Sequence, residues 1–214
     1  MPKILGVQVD QITLPQAVGR VEAWLKTPQK RFIVTPNPEM VMLAQEDQEF
    51  KKILNNANLA IADGWGLKLA VPGLKRVSGI DLMLGLIKKG HKTLLVGARP
   101  GVALKAAKKL GVLGLTEPDL NAINKIKPDL LFVAFGQAKQ EKWIAKNLPR
   151  LQVKVAMGVG GALDQIAKPW LRAPAFLRVL GLEWLYRLII QPWRIKRQLA
   201  LLKFLFKIKI YKSV

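Results

Sequence analysis

The chain has 214 residues, of which 35 are Lys or Arg and 14 are Asp or Glu, so its formal net charge at pH 7 is +21. Half of its residues are hydrophobic and 23% are charged, which is typical of a folded domain and excludes general disorder. It has no cysteine and only one histidine, His91, which excludes disulfides and thiolate metal sites and leaves little material for a zinc site or a Ser-His-Asp triad. The length suits one full core with a short appendage.

Short apolar runs alternate along the chain with segments of helical periodicity. The apolar runs, interpreted as strands, cover residues 4–9, 31–35, 59–63, 92–97, 129–136 and 153–161. The helical segments cover residues 14–25, 39–57, 100–110 and 137–148. Because strands that alternate with helices form parallel sheets, the sequence predicts an α/β, Rossmann-like fold. We expect a mostly parallel sheet with helices on both faces, and the nearly continuous apolar strands favour the same fold.

Glycine and polar residues follow five of the predicted strands, at residues 35–39, 63–64, 97–99, 136–137 and 158–161. A glycine after a strand indicates by itself only a turn. Five such segments, with an acid and amides among them, favour a binding site, because ligands of open α/β sheets bind at the carboxyl ends of the strands. On this basis Gly97, Gly136, Gly160 and Gly161 are predicted to contact substrate. A standard dinucleotide fold or NTPase is disfavoured, since the sequence has no strict G-x-G-x-x-G or P-loop.

Two aspartates lie at these strand ends. Asp63 ends an apolar run and is followed by Gly64, where a carboxylate partly screened from water can accept a proton from a sugar hydroxyl. The alternative is a turn or helix-capping aspartate. Asp164 follows the glycine-rich residues 158–161 and is predicted either to bind a sugar or ribose or to cap the next segment. The local sequence does not distinguish these two roles.

Residues 168–214 form a basic C-terminal segment with eleven Lys or Arg and a single acid, Glu183. The segment is rich in Leu, Ile, Phe and Trp, yet too interrupted by charge to span a bilayer. It is typical of an interfacial helix with Lys and Arg on lipid phosphates, predicted up to about Leu202. Residues 206–212 alternate like a strand instead. The alternative is a helix packed on the core with its lysines in water. We therefore divide the chain into a catalytic core, 1–167, and this basic appendage, 168–214.

The first residues lack the layout of a signal peptide. We therefore expect a cytoplasmic protein that lies peripherally on the inner face of the cell membrane. Such a basic surface attracts anionic lipid, phosphate groups or nucleic acid. A nucleic-acid-binding protein is thus the alternative from another class, although no RNP pattern, zinc finger or helix-turn-helix is apparent.

Motifs in a fixed order along the chain carry a family resemblance. They include TPNPE at 35–39, ADG at 62–64, RVSGID at 76–81, KQEKW at 139–143 and GLEWLYRL at 181–188. With the segments around them, they resemble the WecG/TagA/CpsF family, glycosyltransferase family 26, over almost the whole chain.

This resemblance implies an inverting, metal-independent glycosyltransferase without a cofactor. It would move a sugar, N-acetylmannosamine or a relative, from UDP to an undecaprenyl-pyrophosphate-linked GlcNAc in the synthesis of teichoic acid or another surface polysaccharide. The implied partners are a UDP-sugar, the lipid-linked acceptor and an anionic membrane surface, with no specific nucleic acid; an oligomer is compatible with the sequence.

The resemblance also implies roles for single residues. Asp63 is the candidate general base, and Thr35 and Asn37 lie near the reacting sugar. Arg76 binds phosphate or sugar, and Gln140 is an amide in the pocket. Three arginines are implied to hold the carrier pyrophosphate, because guanidinium forks suit its oxygens: Arg187, Arg194 and Arg197.

Two departures from the family pattern stand out. Residues 111–123 replace a longer family stretch that has its own strand, so we expect a narrower sheet and an altered nucleotide contact. The segment 136–141 lacks a proline that is common in the family, so we expect a less rigid loop, with Gln137 making a new contact or none. The shortened middle leaves a catalytically inactive family member as a further alternative.

Overall fold

A computed structural model of the chain describes residues 1–192 and 195–212. A small antiparallel hairpin comes first, and a six-stranded, all-parallel sheet follows. The hairpin strands are β1 (Lys3–Ile4) and β2 (Val7–Gln8). The sheet strands are β3 (Arg31–Val34), β4 (Leu59–Ala60), β5 (Thr93–Gly97), β6 (Leu113–Leu115), β7 (Leu130–Ala134) and β8 (Val155–Gly158). Their order across the sheet is β4-β3-β8-β7-β5-β6.

Helices connect the strands, and further helices lie in the C-terminal segment. Those before β7 are α1 (Leu14–Leu25), α2 (Pro38–Glu46), α3 (Gln48–Asn55), α4 (Trp65–Ala70), α5 (Gly79–Ile87), α6 (Val102–Leu110) and α7 (Leu120–Ile126). Those after β7 are α8 (Lys139–Asn147), α9 (Ala162–Ala167), α10 (Ala175–Val179), α11 (Glu183–Ile190) and α12 (Ile195–Lys212). None of the helices in the described ranges is both long and apolar enough to cross a membrane.

The sheet is buried on both faces. Along β3, Phe32 and Val34 pack into one hydrophobic cluster and Ile33 packs into the other, because successive side chains of a strand point to opposite faces. Helices α2, α3, α8 and α12 contribute to the first cluster, and α1, α5, α6 and α9 to the second. The predicted Rossmann-like fold with helices on both faces is therefore confirmed.

The order of the strands leaves a crevice over the middle of the sheet. After β3 the chain moves to β4 at one edge, and after β5 it moves to β6 at the other edge. Strands β7 and β8 then fill the gap between β5 and β3. Connections that diverge in this way leave room for a ligand at the carboxyl ends of the strands.

Three details differ from the sequence prediction. The helix expected over 39–57 breaks at Asp47, which ends α2 and caps α3 by accepting the Phe50 N–H at 2.9 Å. The shortened stretch 111–123 still forms strand β6, so the sheet keeps its edge strand. Residues 206–212 are helical rather than strand-like. Phe204 and Ile208, four residues apart, are buried against the core, and this contact outweighs the local alternation.

Candidate active site

A cavity of about 750 Å³ lies over the carboxyl ends of the central strands. Its polar floor comes from residues that follow the strands: Thr35, Asn37, Asp63, Gly136, Gln137, Gly158, Gly160 and Gly161. Its opposite wall is largely apolar and comes from α4 and the C-terminal segment: Trp65, Leu69, Trp184, Leu188, Ile195, Leu201, Leu202 and Leu205. The cavity is therefore suited to a ligand with a polar part and an apolar part.

Asp63 is held at the floor by backbone contacts on both sides. Its own N–H donates to the carbonyl oxygen of Pro36 at 2.8 Å. Its carboxylate accepts the N–H of Gly79, the first residue of α5, at 3.2 Å. A Cβ atom placed on Gly79 would lie only 3.1 Å from Cγ2 of Thr35. Glycine therefore allows the helix to begin directly against the carboxylate.

The carboxyl of Asp63 titrates close to neutral pH. Burial among the cavity walls raises its pKa to about 6, although some of its surface still faces the cavity. The Gly79 N–H and the nearby Arg76 act in the opposite direction and lower the pKa, whereas the negative charge of Glu183 raises it. A carboxylate with a pKa near 6 is largely ionised at pH 7 and is a stronger base than an ordinary aspartate.

Arg76 lies in the cavity wall with its guanidinium directed at the C-terminal segment. Its Nη1 donates to the carbonyl oxygen of Arg178 at 3.4 Å, and its Nη2 lies 3.7 Å from Oε2 of Glu183. Its positive charge acts on Asp63 as well, because it lowers the pKa of that carboxyl. It is placed to meet an anionic group in the cavity.

Thr35 and Asn37, which are predicted to lie near the reacting sugar, both line the cavity, and Asn37 also has a structural role. Its Oδ1 accepts the Met40 N–H at 3.0 Å and so caps α2. Its Nδ2 donates to Oε1 of Gln137 at 3.5 Å. Gln137, in the segment that lacks the family proline, thus contacts Asn37. The next residue, Ala138, has a positive φ of 65° in the turn that opens α8.

Gln140 holds the glycine-rich loop that follows β8. Its Oε1 accepts the Gly160 N–H at 2.9 Å, and its Nε2 donates to Oε1 of Glu141 at 2.7 Å. A Cβ atom on Gly158 would lie 2.6 Å from Gln140 Nε2, so glycine is needed there. Gln140 lines the cavity, but both ends of its amide contact the protein. The carboxyl of Glu141 is fully buried, and burial raises its pKa.

The predicted pyrophosphate-binding arginines are only partly described. Arg187, on α11, lines the cavity next to the glycine-rich loop, with Nη2 3.3 Å from the position that a Cβ atom would occupy on Gly161. Arg194 and the side chain of Arg197 lie outside the described residues.

Two predicted substrate-binding residues do not line this cavity. Gly97 has a φ of 94°, and the Phe135 ring lies 2.5 Å from where its Cβ would be, so packing accounts for this glycine. Asp164 forms an ion pair with Arg99 at 3.1 Å on the surface. The strand-end pattern grouped both residues with the site because local sequence does not show where a turn points.

Sequence reasoning missed several residues of the site. Gly79 and Trp65 line the cavity and lie within or next to the motifs RVSGID and ADG, but the sequence analysis did not assign either residue to the site. Glu183 had two available signals, because it lies in the GLEWLYRL motif and is the single acid in a segment with eleven basic residues. Within the described part of the chain, no group of three or more His, Cys, Asp or Glu could hold a metal ion.

The cavity combines a strand-end carboxylate with a raised pKa, a guanidinium and a glycine-rich loop, features that suit an enzyme acting on an anionic substrate. Comparison with known proteins agrees with this class. The chain belongs to the glycosyl transferase WecG/TagA/CpsF family, which it matches over residues 2–113 and 115–213, so the resemblance is confirmed.

Two similar proteins from Staphylococcus aureus carry the same name, N-acetylglucosaminyldiphosphoundecaprenol N-acetyl-beta-D-mannosaminyltransferase. The protein from strain MRSA252 is 35% identical over an alignment that covers 96% of this chain and 91% of the relative. The protein from strain NCTC 8325 / PS 47 is 34% identical over the same lengths.

Proposed function

We propose that this chain transfers N-acetylmannosamine, or a closely related sugar, from a UDP-sugar to a GlcNAc linked to undecaprenyl pyrophosphate. The observation that carries the proposal is Asp63, a carboxylate with a pKa of about 6. It lies on the polar floor of a cavity whose opposite wall is largely apolar. The names of the two relatives indicate the sugar and the lipid-linked diphosphate acceptor. The product would be an intermediate of teichoic acid or another surface polysaccharide.

In the proposed reaction, Asp63 accepts the proton of an acceptor hydroxyl while the oxygen of that hydroxyl attacks the anomeric carbon of the donor sugar. The bond from that carbon to the diphosphate oxygen breaks, and the departing UDP takes the electron pair. One displacement from the opposite side inverts the anomeric centre. Asp63 then releases its proton to water.

The leaving diphosphate gains negative charge as the bond breaks, and the cavity offers two features to meet it. The Arg76 guanidinium is one, at the wall beside Asp63. The other is the loop 158–161, where the Val159 and Gly160 N–H groups already donate within the protein, so the Gly161 N–H is the group proposed to approach a phosphate oxygen. We propose that these protein groups stabilise the diphosphate without a metal ion, with Thr35 and Asn37 near the donor sugar.

The acceptor would lie between the core and the C-terminal segment. Arg187 lines the cavity, and with Arg194 and Arg197 it is proposed to hold the carrier pyrophosphate. The apolar wall formed by α4, α11 and α12 suits the isoprenoid part of the carrier. Residues 1–167 would thus perform the chemistry, and residues 168–214 would hold the lipid carrier.

The same segment supports attachment to the inner face of the cell membrane. Large apolar side chains of this segment are exposed, namely Phe176, Leu180, Ile189, Leu199, Leu202 and Phe206, and Leu69 of α4 is exposed as well. Exposed lysines, among them Lys203 and Lys207, accompany them on α12. Each basic residue near an anionic lipid surface contributes roughly 1 kcal/mol, so several give reversible binding.

The proposal is tested by incubating the protein with separate UDP-sugars and a short lipid-pyrophosphate-GlcNAc analogue, followed by mass analysis of the lipid product. We expect one added N-acetylhexosamine with UDP-N-acetylmannosamine and little product with UDP-glucose. Absence of any product across the donors, with protein that still binds UDP-N-acetylmannosamine, would contradict the proposed activity.

A further inference from the structure

The turn between α10 and α11 places Glu183 next to Arg76, the arginine in the cavity wall. We propose that Glu183 is a positioning residue, which holds the Arg76 guanidinium in the cavity wall and away from a direct pair with Asp63. The proposal rests on the proposed function, because it concerns the base and the cation of the same reaction.

Both contacts that position Arg76 come from the C-terminal segment. They are the carbonyl oxygen of Arg178, 3.4 Å from Nη1, and the carboxylate of Glu183, 3.7 Å from Nη2. The side chains of Arg76 and Glu183 are only 21% and 25% exposed. A partly buried ion pair of this kind is screened less by water than a surface pair, so it can fix an orientation.

The turn that leads into α11, whose first residue is Glu183, is itself fixed to the core. Gly181 has a φ of 77°, and a Cβ atom there would lie 2.8 Å from the Trp65 ring, so glycine lets the turn pack tightly on α4. The Trp65 Nε1–H donates to the carbonyl oxygen of Arg178 at 3.3 Å, which is the same oxygen that accepts from Arg76. The place of Glu183 is therefore set by contacts that do not involve its own carboxylate.

Glu183 and Arg76 act on Asp63 with opposite sign. Arg76 attracts the carboxylate and lowers its pKa, whereas Glu183 repels it and raises the pKa. The backbone N–H groups of Gly79 and Gly64 also lower it. The other charged side chains of the cavity lining are Glu39 and Arg187.

Loss of the Glu183 charge has two effects in the same direction. The repulsion of Asp63 disappears, and Arg76 loses the anion that draws it towards the C-terminal segment. Arg76 can then pair with Asp63, which weakens the base and removes the cation from the departing diphosphate. Glu183 thus couples the docking of the C-terminal segment to the chemistry at Asp63.

The experiment is an NMR titration of the protein labelled with ¹³C at the aspartate carboxyls, with D63N used to assign the signal of Asp63. In the wild-type protein the midpoint is expected near pH 6. In E183Q, which keeps the shape of the side chain, it should fall by at least about half a pH unit. E183D keeps the charge and should keep most of the wild-type midpoint. An unchanged midpoint in E183Q would overturn the proposal.

D81N is the matched control for a general loosening of the segment. Asp81 pairs with Arg172 and Arg178, so its loss also weakens the attachment of the C-terminal segment, but Asp81 makes no ion pair with Arg76 among the described contacts. We expect D81N to shift the Asp63 midpoint by less than half as much as E183Q. An equal shift in D81N would mean that docking alone, and not Glu183, sets the state of Asp63.

A transfer assay adds a functional readout. In E183Q, kcat should fall by about tenfold, and the acid limb of the kcat/KM profile should move to lower pH. A fall in kcat with an unmoved acid limb would contradict the role of Glu183. The titration needs no turnover, so a failure of the proposed function and a failure of this inference remain distinguishable.

Discussion

The backbone N–H of Gly79 donates to the carboxylate of Asp63 at 3.2 Å, where α5 begins. The positive end of this helix therefore faces the proposed base. This contact holds the carboxylate towards the cavity and partly offsets the cost of burying its charge. The position of the proposed base therefore depends on Gly79, which does not follow a strand and contributes only its backbone.

A methyl group at Gly79 should disturb the base. In G79A the new Cβ would lie 3.1 Å from Thr35 Cγ2 and 3.4 Å from Asp63 Oδ2, so the carboxylate or the helix must shift. We expect kcat to fall by at least about tenfold, since small misplacement of a reacting group is costly, while donor binding measured by calorimetry changes little. G85A, in the same helix, is the matched control and should keep kcat within about twofold of wild type. Equal kcat values for both variants would show that the Gly79 contact has no role.

Transfer should depend on pH through Asp63. Only the ionised carboxylate accepts a proton, and burial raises its pKa to about 6. The profile of kcat/KM should therefore rise from pH 5 to a plateau above pH 7, with a midpoint near 6. A profile that stays flat down to pH 5 would be inconsistent with Asp63 as the group that accepts the proton.

The same titration should affect stability. Because the pKa of Asp63 is raised from 3.8 to about 6 on folding, the folded state holds the proton more tightly than the unfolded state between these values. Stability from this group is therefore present at low pH and is lost as pH rises through about 6. At pH 7.5, D63N should be more stable than wild type by on the order of 1–3 kcal/mol, and below about pH 4 the two should agree. Thermal unfolding at both pH values measures this difference, and a D63N protein less stable than wild type at pH 7.5 would contradict the burial cost.

Membrane attachment should depend on the exposed apolar side chains of the C-terminal segment. Ile189 and Phe206 are 70% and 69% exposed, so glutamate at both positions should not disturb the fold. I189E/F206E should bind at least about tenfold more weakly to vesicles with anionic lipid, because it removes apolar contact and adds negative charge. The control L104E changes an exposed leucine of α6, across the sheet from α12, and should bind better than the double variant. Sedimentation with vesicles measures both, and equal binding would contradict this attachment surface.

The strands and the position of Asp63 could be predicted because their signals are local. Continuous apolar runs identify buried parallel strands, and an acid directly after such a run lies at the edge where ligands bind. The same local pattern grouped Gly97 with the site, yet Gly97 does not line the cavity, and its positive φ accompanies close packing against Phe135. Whether a strand-end residue faces the cavity depends on the order of the strands, which periodicity does not contain.

Long-range contacts account for most of what the sequence could not indicate. Glu183 reaches Arg76 only because Trp65 and Gly181 pack the α10–α11 turn onto α4. The last turns of α12 are helical because Phe204 and Ile208 find the core, although residues 206–212 alternate like a strand. In both cases tertiary packing decides the structure and no single segment carries the signal.

The central claim is that Asp63 accepts the proton of the acceptor hydroxyl, and single-turnover transfer by D63N tests it most directly. With UDP-N-acetylmannosamine and a lipid-pyrophosphate-GlcNAc analogue, the rate should fall by about 10²–10⁴-fold while donor binding is retained. D129N, which removes an aspartate paired with Lys154 at the start of β7, should keep the wild-type rate within about twofold. Undiminished transfer by D63N would contradict the account.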